Sequence, residues 1–438
     1  MITPHFKIKN ETRDKFKNIL NSSNFYYPPQ VASLYNFPTS STPGQGQLIG
    51  IIELGGGYTQ AQIQTYLTDQ GITNFPTITD ISVNGATNSG QGGNDSVEVA
   101  LDIEIIASVC PYADINVYFA PNSDSGFYDA VQQAISDNCN IISISWGAAE
   151  SEYSQNYLTQ FNALFQTAAT KNISVYCSAG DSGSYDGTGS LNVNFPASST
   201  YVTACGGTTL TSSGNKITSE TVWNDSSDSA TGGGISSVFA KPSWQEDITY
   251  SYLASSTFRG LPDVTSNGNP DTGYKILLLN NTNPDEYYYE IIGGTSAASP
   301  LWAAYNALLN QTLGQNYSMI QTILYNAYYQ NNQYLTNDIT IGNNSSTGNT
   351  NDPYPAEQLW DCCSGWGSPN PSLYNYLSTN NSQTQSLEII NTVFYNMLGT
   401  DTINLNFLED IPMLITGYNN LINLNSEINI LLNNIANI

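Results

Sequence analysis

Apolar positions along this 438-residue chain recur in short runs and in helical stripes. Leu48-Ile-Gly-Ile-Ile-Glu53 predicts a strand that opens into Leu54-Gly-Gly-Gly-Tyr58, and residues 60–69 then read as a helix. Over residues 96–109 the apolar positions Val97, Ala100, Leu101, Ile105, Ile106 and Val109 fall three or four apart, the spacing of a helix with a buried face. The pattern continues as a strand at 115–119, a helix at 127–136, a buried strand at 140–146, a long helix at 152–171 and a strand at 173–178. Strands alternating with helices predict an α/β fold, a mostly parallel sheet with helices on both faces. Residues 183–260 are rich in Gly and Ser, which predicts hairpins and long surface loops. An aromatic run at 287–292 reads as a strand, and helix returns over 301–329.

The two ends differ from this body. Five of the ten Lys and Arg residues (Lys7, Lys9, Arg13, Lys15 and Lys17) lie in the first 17 positions, and none follows Lys275. Residues 1–25 therefore read as a basic N-terminal extension, 26–370 as the folded domain and 371–438 as a C-terminal extension, helical by pattern. In that extension Leu387, Ile390, Phe394 and Met397 form one stripe. Leu421, Leu424, Ile428, Leu431, Ile435 and Ile438 form a heptad-like seam, suited either to docking on the main domain or to self-association. The first residues carry no apolar core of a signal peptide, and no run is long enough to span a membrane.

Net charge is −26, yet charged residues make up only 11% of the chain, against about 25% in ordinary soluble domains. The surface expected is polar but uncharged, with few ion pairs to lose in acid. Such a balance argues against a nucleic-acid partner. The six cysteines form no CxxC pair. With a single histidine a zinc site is disfavoured, leaving buried thiols or one or two disulfides.

The candidate chemistry centres on Gly293-Gly-Thr-Ser-Ala-Ala-Ser-Pro300, between a predicted strand and a predicted helix. Glycines permit the sharp turn, and Pro300 fits a first helical turn. Ser296 would sit near a helix N-terminus, where negative charge is favoured. As a nucleophile it needs a base. The one histidine, His5, lies in the basic N-terminal segment, away from any core pattern, so a Ser-His-Asp triad is not available. Carboxylates are the alternative, and they work as bases near their own low pKa, which points to an acid-active hydrolase. Glu98 and Asp102, four apart, share one face of an otherwise apolar helix. Like charges that close do not both ionise easily, so one is expected to hold a proton. Asp181, after the strand ending at Ser178, would lie at the carboxyl edge of the sheet, placed to donate to an oxyanion while protonated.

Glu98-Val-Ala-Leu-Asp102, Ser143-Ile-Ser-Trp-Gly147, Ser178-Ala-Gly-Asp181 and Gly294-Thr-Ser296 occur in the order and rough spacing of the sedolisin family, the serine-carboxyl peptidases. Glu53-Leu-Gly-Gly-Gly-Tyr58, Asn194-Phe-Pro-Ala-Ser198, Ala204-Cys-Gly-Gly-Thr208, Gly232-Gly-Gly-Ile-Ser236 and Arg259-Gly-Leu-Pro-Asp263 resemble its kumamolisin branch. The resemblance runs from about Tyr26 to Pro369. It implies a subtilisin-like fold and an acid-active endopeptidase, or a tripeptidyl exopeptidase. The rival reading is the same fold kept as a silent binding module. By this resemblance Ser296 is the nucleophile, Glu98 the base, Asp102 the acid linked to it and Asp181 the oxyanion acid. Glu53 and Trp146 extend the carboxylate network, and Ser145, Gly147 and Asn194 contact a protein or peptide substrate. Asn194 replaces an Asp of relatives that favour a basic residue before the cleavage point.

The resemblance also implies one structural calcium ion, held by the carboxylates of Asp338 and Asp361 and the carbonyl oxygens of Ile339, Glu357 and Leu359, an oxygen-only set that suits calcium. The segment Ala356-Glu-Gln-Leu359 departs from the glycines usual there. The family carries a long inhibitory N-terminal prosegment, whereas about 25 residues precede the matching region here. An acidic vesicle or the extracellular medium is the setting such an enzyme implies.

Overall fold

The computed structural model describes residues 2–9, 25–226, 228–283, 286–331, 334–346 and 354–381. The predicted stripes at 387–397 and 421–438 lie outside the described residues. The chain divides into Met1–Ser378 and Thr379–Ile438, and the central sheet with its helices belongs to the first unit.

At the N-terminus, β1 (Thr3–Pro4) and β2 (Lys7–Ile8) precede a short helix, α1 (Pro28–Leu34). Then come β3 (Leu48–Glu53), α2 (Gln60–Asp69), β4 (Thr77–Ser82), α3 (Asn94–Val109), β5 (Asp114–Phe119) and α4 (Asp124–Ser136). The next elements are β6 (Ile141–Ile144), β7 (Trp146–Ala149), α5 (Gln155–Thr170), β8 (Ser174–Ser178), β9 (Asn194–Phe195), β10 (Thr203–Ser213) and β11 (Lys216–Val222). The last are β12 (Val264–Asn267), β13 (Tyr274–Leu279), β14 (Tyr287–Gly293), α6 (Thr295–Leu313) and α7 (Ile320–Asn331). The main sheet runs β11-β10-β8-β6-β3-β5-β4, with β12 also against β10. Only the β10–β11 pair in it is antiparallel.

The alternation of side chains along β3 explains its apolar run. Ile49 and Ile51 enter one core, shared with α3 and α6, and Ile52 enters a second, beneath α4 and α5. A strand covered on both faces has no polar side to show. The strand order reverses about β3, since β5 and β4 continue to one side and β6, β8 and β10 to the other. Sites collect in the crevice at the carboxyl ends of such strands. Glu53 ends β3, Ser145 follows β6 and Asp181 follows β8. All six cysteines are buried free thiols. Among the described residues no helix is long and apolar enough to cross a membrane.

Three local expectations are corrected. The strand expected over 140–146 breaks at Ser145: β6 stays in the main sheet, while β7 leaves it to pair with β1 and β9. The helix after the Gly-rich turn begins at Thr295, not near Leu301, so Pro300 lies beyond its first turn. The Pro300 ring has no N–H for the Ser296 carbonyl; Ser145 Oγ lies 3.4 Å from that oxygen, with its own hydrogen on Asp102 Oδ1. His5, expected away from the core, is buried in the cleft.

Candidate active site

Helix α3 is the source of the carboxylates. Every residue from Ser96 to Val109 is buried, because α3 packs between the sheet, α6 and the β13 edge. Glu98, Asp102 and Glu104 are therefore out of water, each at 0% exposure. Burial, with the neighbouring charges of Asp102 and Glu53, holds the Glu98 carboxyl well above the ordinary range. Glu53 is held up by burial and by Asp102, against the Trp146 indole N–H, which donates to Glu53 Oε2 at 3.0 Å. Asp102 is raised by burial although Ser145 Oγ donates to its Oδ1 at 2.8 Å. Glu53 Oε1, both Glu98 oxygens and Asp102 Oδ2 have no partner at strict hydrogen-bond geometry. Acceptor oxygens left over in a dry cluster require protons among themselves, so this trio holds at least one proton in the folded protein.

Ser296 enters the cluster from α6. Its hydroxyl donates to the Ser145 carbonyl at 3.2 Å and stands near enough to Glu98 to favour that carboxyl's charged form. Gly294, at φ 109°, makes the turn. A Cβ there would strike the His5 carbonyl oxygen and come within 2.7 Å of Asp181 Oδ2. Asp181 Oδ1 accepts from the Thr295 N–H and hydroxyl, both at 2.8 Å. Asp181 Oδ2 is buried and unpartnered. Burial pushes this carboxyl up to about 7, against the pull of Lys7 and Thr295.

The N-terminal strand lies along this constellation. Thr3 and Pro4 pair antiparallel with Gly147 and Trp146. The His5 N–H donates to the Ser145 carbonyl at 3.1 Å, and the Ser296 N–H donates to the His5 carbonyl at 2.9 Å. After Phe6, Lys7 and Ile8 pair with Gly293 and Ile292 at the end of β14. The His5–Phe6 peptide is thus held between two strand pairings, its carbonyl oxygen at the N–H of Ser296 and next to Asp181. Of the residues expected to contact substrate, Ser145 and Gly147 engage this strand through their backbones. Asn194 touches the His5 ring, with 3.1 Å between Nδ2 and Nε2.

Sequence reasoning missed several residues that belong here. Thr295 fixes Asp181. Ser178 and Asp186 flank the His5 ring and Asn194, and His5 itself fills the pocket. Glu104 is also buried, but it faces away from Ser296 and accepts from the Leu277 N–H at 2.9 Å, tying β13 to α3. Asp186 sits in a Tyr-Asp-Gly turn with no local mark of function. Arg259 and Asp263, part of the motif set, form a buried bidentate pair at 3.1 and 2.8 Å that also binds the carbonyls of Ala197 and Val202. Their role is structural.

The loop residues with calcium-type ligands gather elsewhere. The Leu359 N–H donates to Asp338 Oδ2 at 2.9 Å, and the Glu357 N–H to Asp361 Oδ2 at 3.1 Å. The hydroxyl of Ser364 donates to the Ile339 carbonyl at 3.3 Å. Asp338 Oδ1 is buried and orphaned, and burial raises both carboxyls, Asp361 to about 6. Among the described residues no three His, Cys, Asp or Glu side chains cluster as for a metal. An ion here would take part of its shell from carbonyl oxygens. The orphaned carboxylate oxygen and the all-oxygen donor set fit a hard cation.

This fold and site define a peptidase scaffold. The sequence pattern of the Subtilase family matches residues 81–366, and the chain belongs to that family, in its sedolisin (serine-carboxyl peptidase) branch. It is 41% identical over 379 residues to kumamolisin of Bacillus sp. (strain MN-32), covering 84% of this chain and 66% of that protein. It is 28% identical over 387 residues to tripeptidyl-peptidase sed5 of Aspergillus fumigatus, covering 77% and 63%. The chain thus spans about two thirds of these relatives. The solved Pseudomonas sedolisin, a serine-carboxyl proteinase complexed with pseudo-iodotyrostatin, superposes with a TM-score of 0.71 at 28% identity. That match covers 82% of this chain and 100% of the other.

Proposed function

We propose that this chain is an acid-active serine-carboxyl endopeptidase. The observation that carries the reading is the His5 carbonyl, lying at the Ser296 N–H beside Asp181 with strand pairing on either side. In this reading Ser296 Oγ attacks the scissile carbonyl carbon and Glu98 takes the hydroxyl proton. Asp102 and Glu53, hydrogen-bonded through shared protons, keep Glu98 oriented and disperse the charge it loses. The oxyanion accepts from the Ser296 N–H and from protonated Asp181. Glu98 then returns its proton to the leaving amine, and water cleaves the acyl-enzyme by the same path. Asp181 donates only while protonated, which at a value of about 7 means below neutrality.

Endopeptidase is favoured over tripeptide release by the far end of the same strand. Four described residues, Ile2 to His5, precede the held peptide. Ile2 is buried, and its carbonyl accepts from Asn122 Nδ2 at 2.9 Å. The cleft therefore takes more than three residues on that side. The test is cleavage of a denatured protein and of N-terminally blocked peptides between pH 2 and pH 8, with intact-mass analysis of the chain itself. Cleavage confined to the acid side, blocked peptides included, and a cut after His5 are expected. Absence of cleavage at every pH by folded, calcium-supplemented protein would replace this reading with a binding module.

The same proposal includes one calcium ion bound by Asp338 and Asp361 with carbonyls of Ile339, Glu357 and Leu359. When bound, the ion neutralises two buried carboxylates and ties the loop to the sheet edge. Ligand binding to the folded state alone raises the melting temperature. Calcium should therefore raise the Tm of the Ser296→Ala chain, and Asp338→Asn should remove most of that rise. A Tm indifferent to calcium and to chelator would exclude the ion.

A further inference from the structure

The pocket around the His5 side chain is polar and closed, and beside Asn194 and Gly147, expected to contact substrate, it contains Ser178 and Asp186, to which no motif assigned a role. His5 Nδ1 lies 2.7 Å from Ser178 Oγ. Its Nε2 lies 3.1 Å from Asn194 Nδ2, and the same Nδ2 donates to Asp186 Oδ2 at 3.0 Å. An amide nitrogen carries two hydrogens and accepts nothing. With one hydrogen on Asp186 and the other directed at the ring, this orientation of the Asn194 amide makes Nε2 the unprotonated nitrogen. The ring's hydrogen is then on Nδ1, facing the Ser178 hydroxyl. The walls are backbone. A Cβ on Gly147 would strike Asn194 Oδ1 and come within 2.9 Å of His5 Cε1, and one on Gly180 would meet Asp186 Oδ1 at 2.5 Å. The slot thus accepts a flat ring with a donor on one edge and an acceptor on the other.

We propose that Asp186 is a specificity-determining positioning residue, which orients the Asn194 amide so that the peptidase selects a neutral imidazole, the side chain of histidine, immediately before the scissile bond. This deepens the peptidase reading and rests on it. Asp186 is placed for the role by the left-handed turn at φ 48°, which aims its carboxylate inward behind Asn194. Burial and the charge of Lys7 push His5 down to about 3, so the ring stays neutral in acid where a free histidine is charged. An aliphatic side chain in the slot would leave the second Asn194 N–H and the Ser178 acceptor lone pairs unmatched, and sites built to hydrogen-bond a ligand reject analogues that cannot.

Two measurements decide it. The first is kcat/KM on peptides Ile-Thr-Pro-Xaa-Phe-Lys-Ile with Xaa as His, Leu or Arg. The wild type should prefer His over Leu by about 10-fold or more. Asp186→Ala should remove most of that preference, the His rate falling by a larger factor than the Leu rate, and Asp186→Asn, which still offers a carbonyl oxygen to Asn194, should retain it. The second needs no activity. The chain has one histidine, so imidazole ¹⁵N NMR of the Ser296→Ala chain reports His5 alone. A neutral Nδ1–H tautomer at pH 5 is expected, lost in Asp186→Ala. An unchanged His-to-Leu ratio in Asp186→Ala, or a doubly protonated or Nε2–H ring in Ser296→Ala, overturns the proposal. If no peptide is cleaved, the peptidase reading fails and the tautomer still decides what the pocket selects.

Discussion

Ser296→Ala is expected to lower kcat/KM for peptide hydrolysis by about 10⁴-fold or more, with the fold intact, and Glu98→Gln is expected to do nearly the same. The size follows from the geometry. Among the described side chains at this peptide, only the Ser296 hydroxyl stands where a nucleophile must, two residues from the glycine turn and beside Glu98. The only histidine is occupied as a ligand of the pocket, with its Nδ1 on Ser178, and is not positioned as a base. Removal of the hydroxyl removes the covalent route altogether. Glu98→Gln keeps the volume and a carbonyl oxygen but leaves an amide that cannot accept the proton. Neither change should unfold the protein, since Ser296→Ala deletes one hydrogen bond of 3.2 Å and Glu98→Gln keeps the volume, an acceptor oxygen and an N–H that can donate where the shared proton did. Circular dichroism and Tm measured beside the kinetics separate the two effects. Wild-type turnover by either folded variant would remove these residues from the chemistry.

The second large effect is on stability. The Ser296→Ala chain, which avoids self-digestion, should be markedly more stable at pH 5 than at pH 8, its Tm falling by roughly 5 °C or more across that range. The sign comes from buried carboxyls whose folded-state values are raised. Such a group contributes stability that is fully present below its unfolded value and is lost as pH rises through its folded value. Burial places Asp181 and Asp186 at about 7 each, so each loses on the order of 2 to 3 kcal/mol between pH 5 and pH 8. Glu53, Glu98, Asp102 and Glu104 are raised by the same burial. His5 acts in the opposite direction: its value is lowered by burial, so acid below its unfolded value disfavours the fold. It is one group against several, and the net charge of −26 adds repulsion as pH rises. A Tm that climbs from pH 5 to pH 8 would mean that water reaches these carboxyls.

Much of the frame was legible in the sequence. The helix expected over 60–69 has those bounds, and the spacing of Val97, Ala100, Leu101, Ile105 and Ile106 marked α3, which extends two residues earlier than expected. The pair Glu98 and Asp102 stood out because two acids four apart on an apolar helix conflict with local patterning. Asp181 and Ser296 stood out by their turns. The start of α6 was misplaced because Pro300 reads as a first-turn residue. The proline is held inside the helix by burial around it, which no rule about neighbours in sequence reveals.

By itself the sequence determined the alternation of strand and helix, the family, the distance along the chain between its one histidine and the Ser296 motif, and the four side chains proposed to act in place of a triad. These are local signals, carried by residues within a turn or a strand of one another. Only the tertiary structure decided what surrounds them. Burial of α3 on every side turns two spaced acids into a proton-sharing cluster with Glu53, because desolvation depends on what packs against a helix and not on its own sequence. Thr3 pairs with Gly147 across 144 positions, and Asp186 reaches the His5 ring through Asn194. Contacts so distant along the chain leave no period in it, and the pocket they form exists only once the strands are in place.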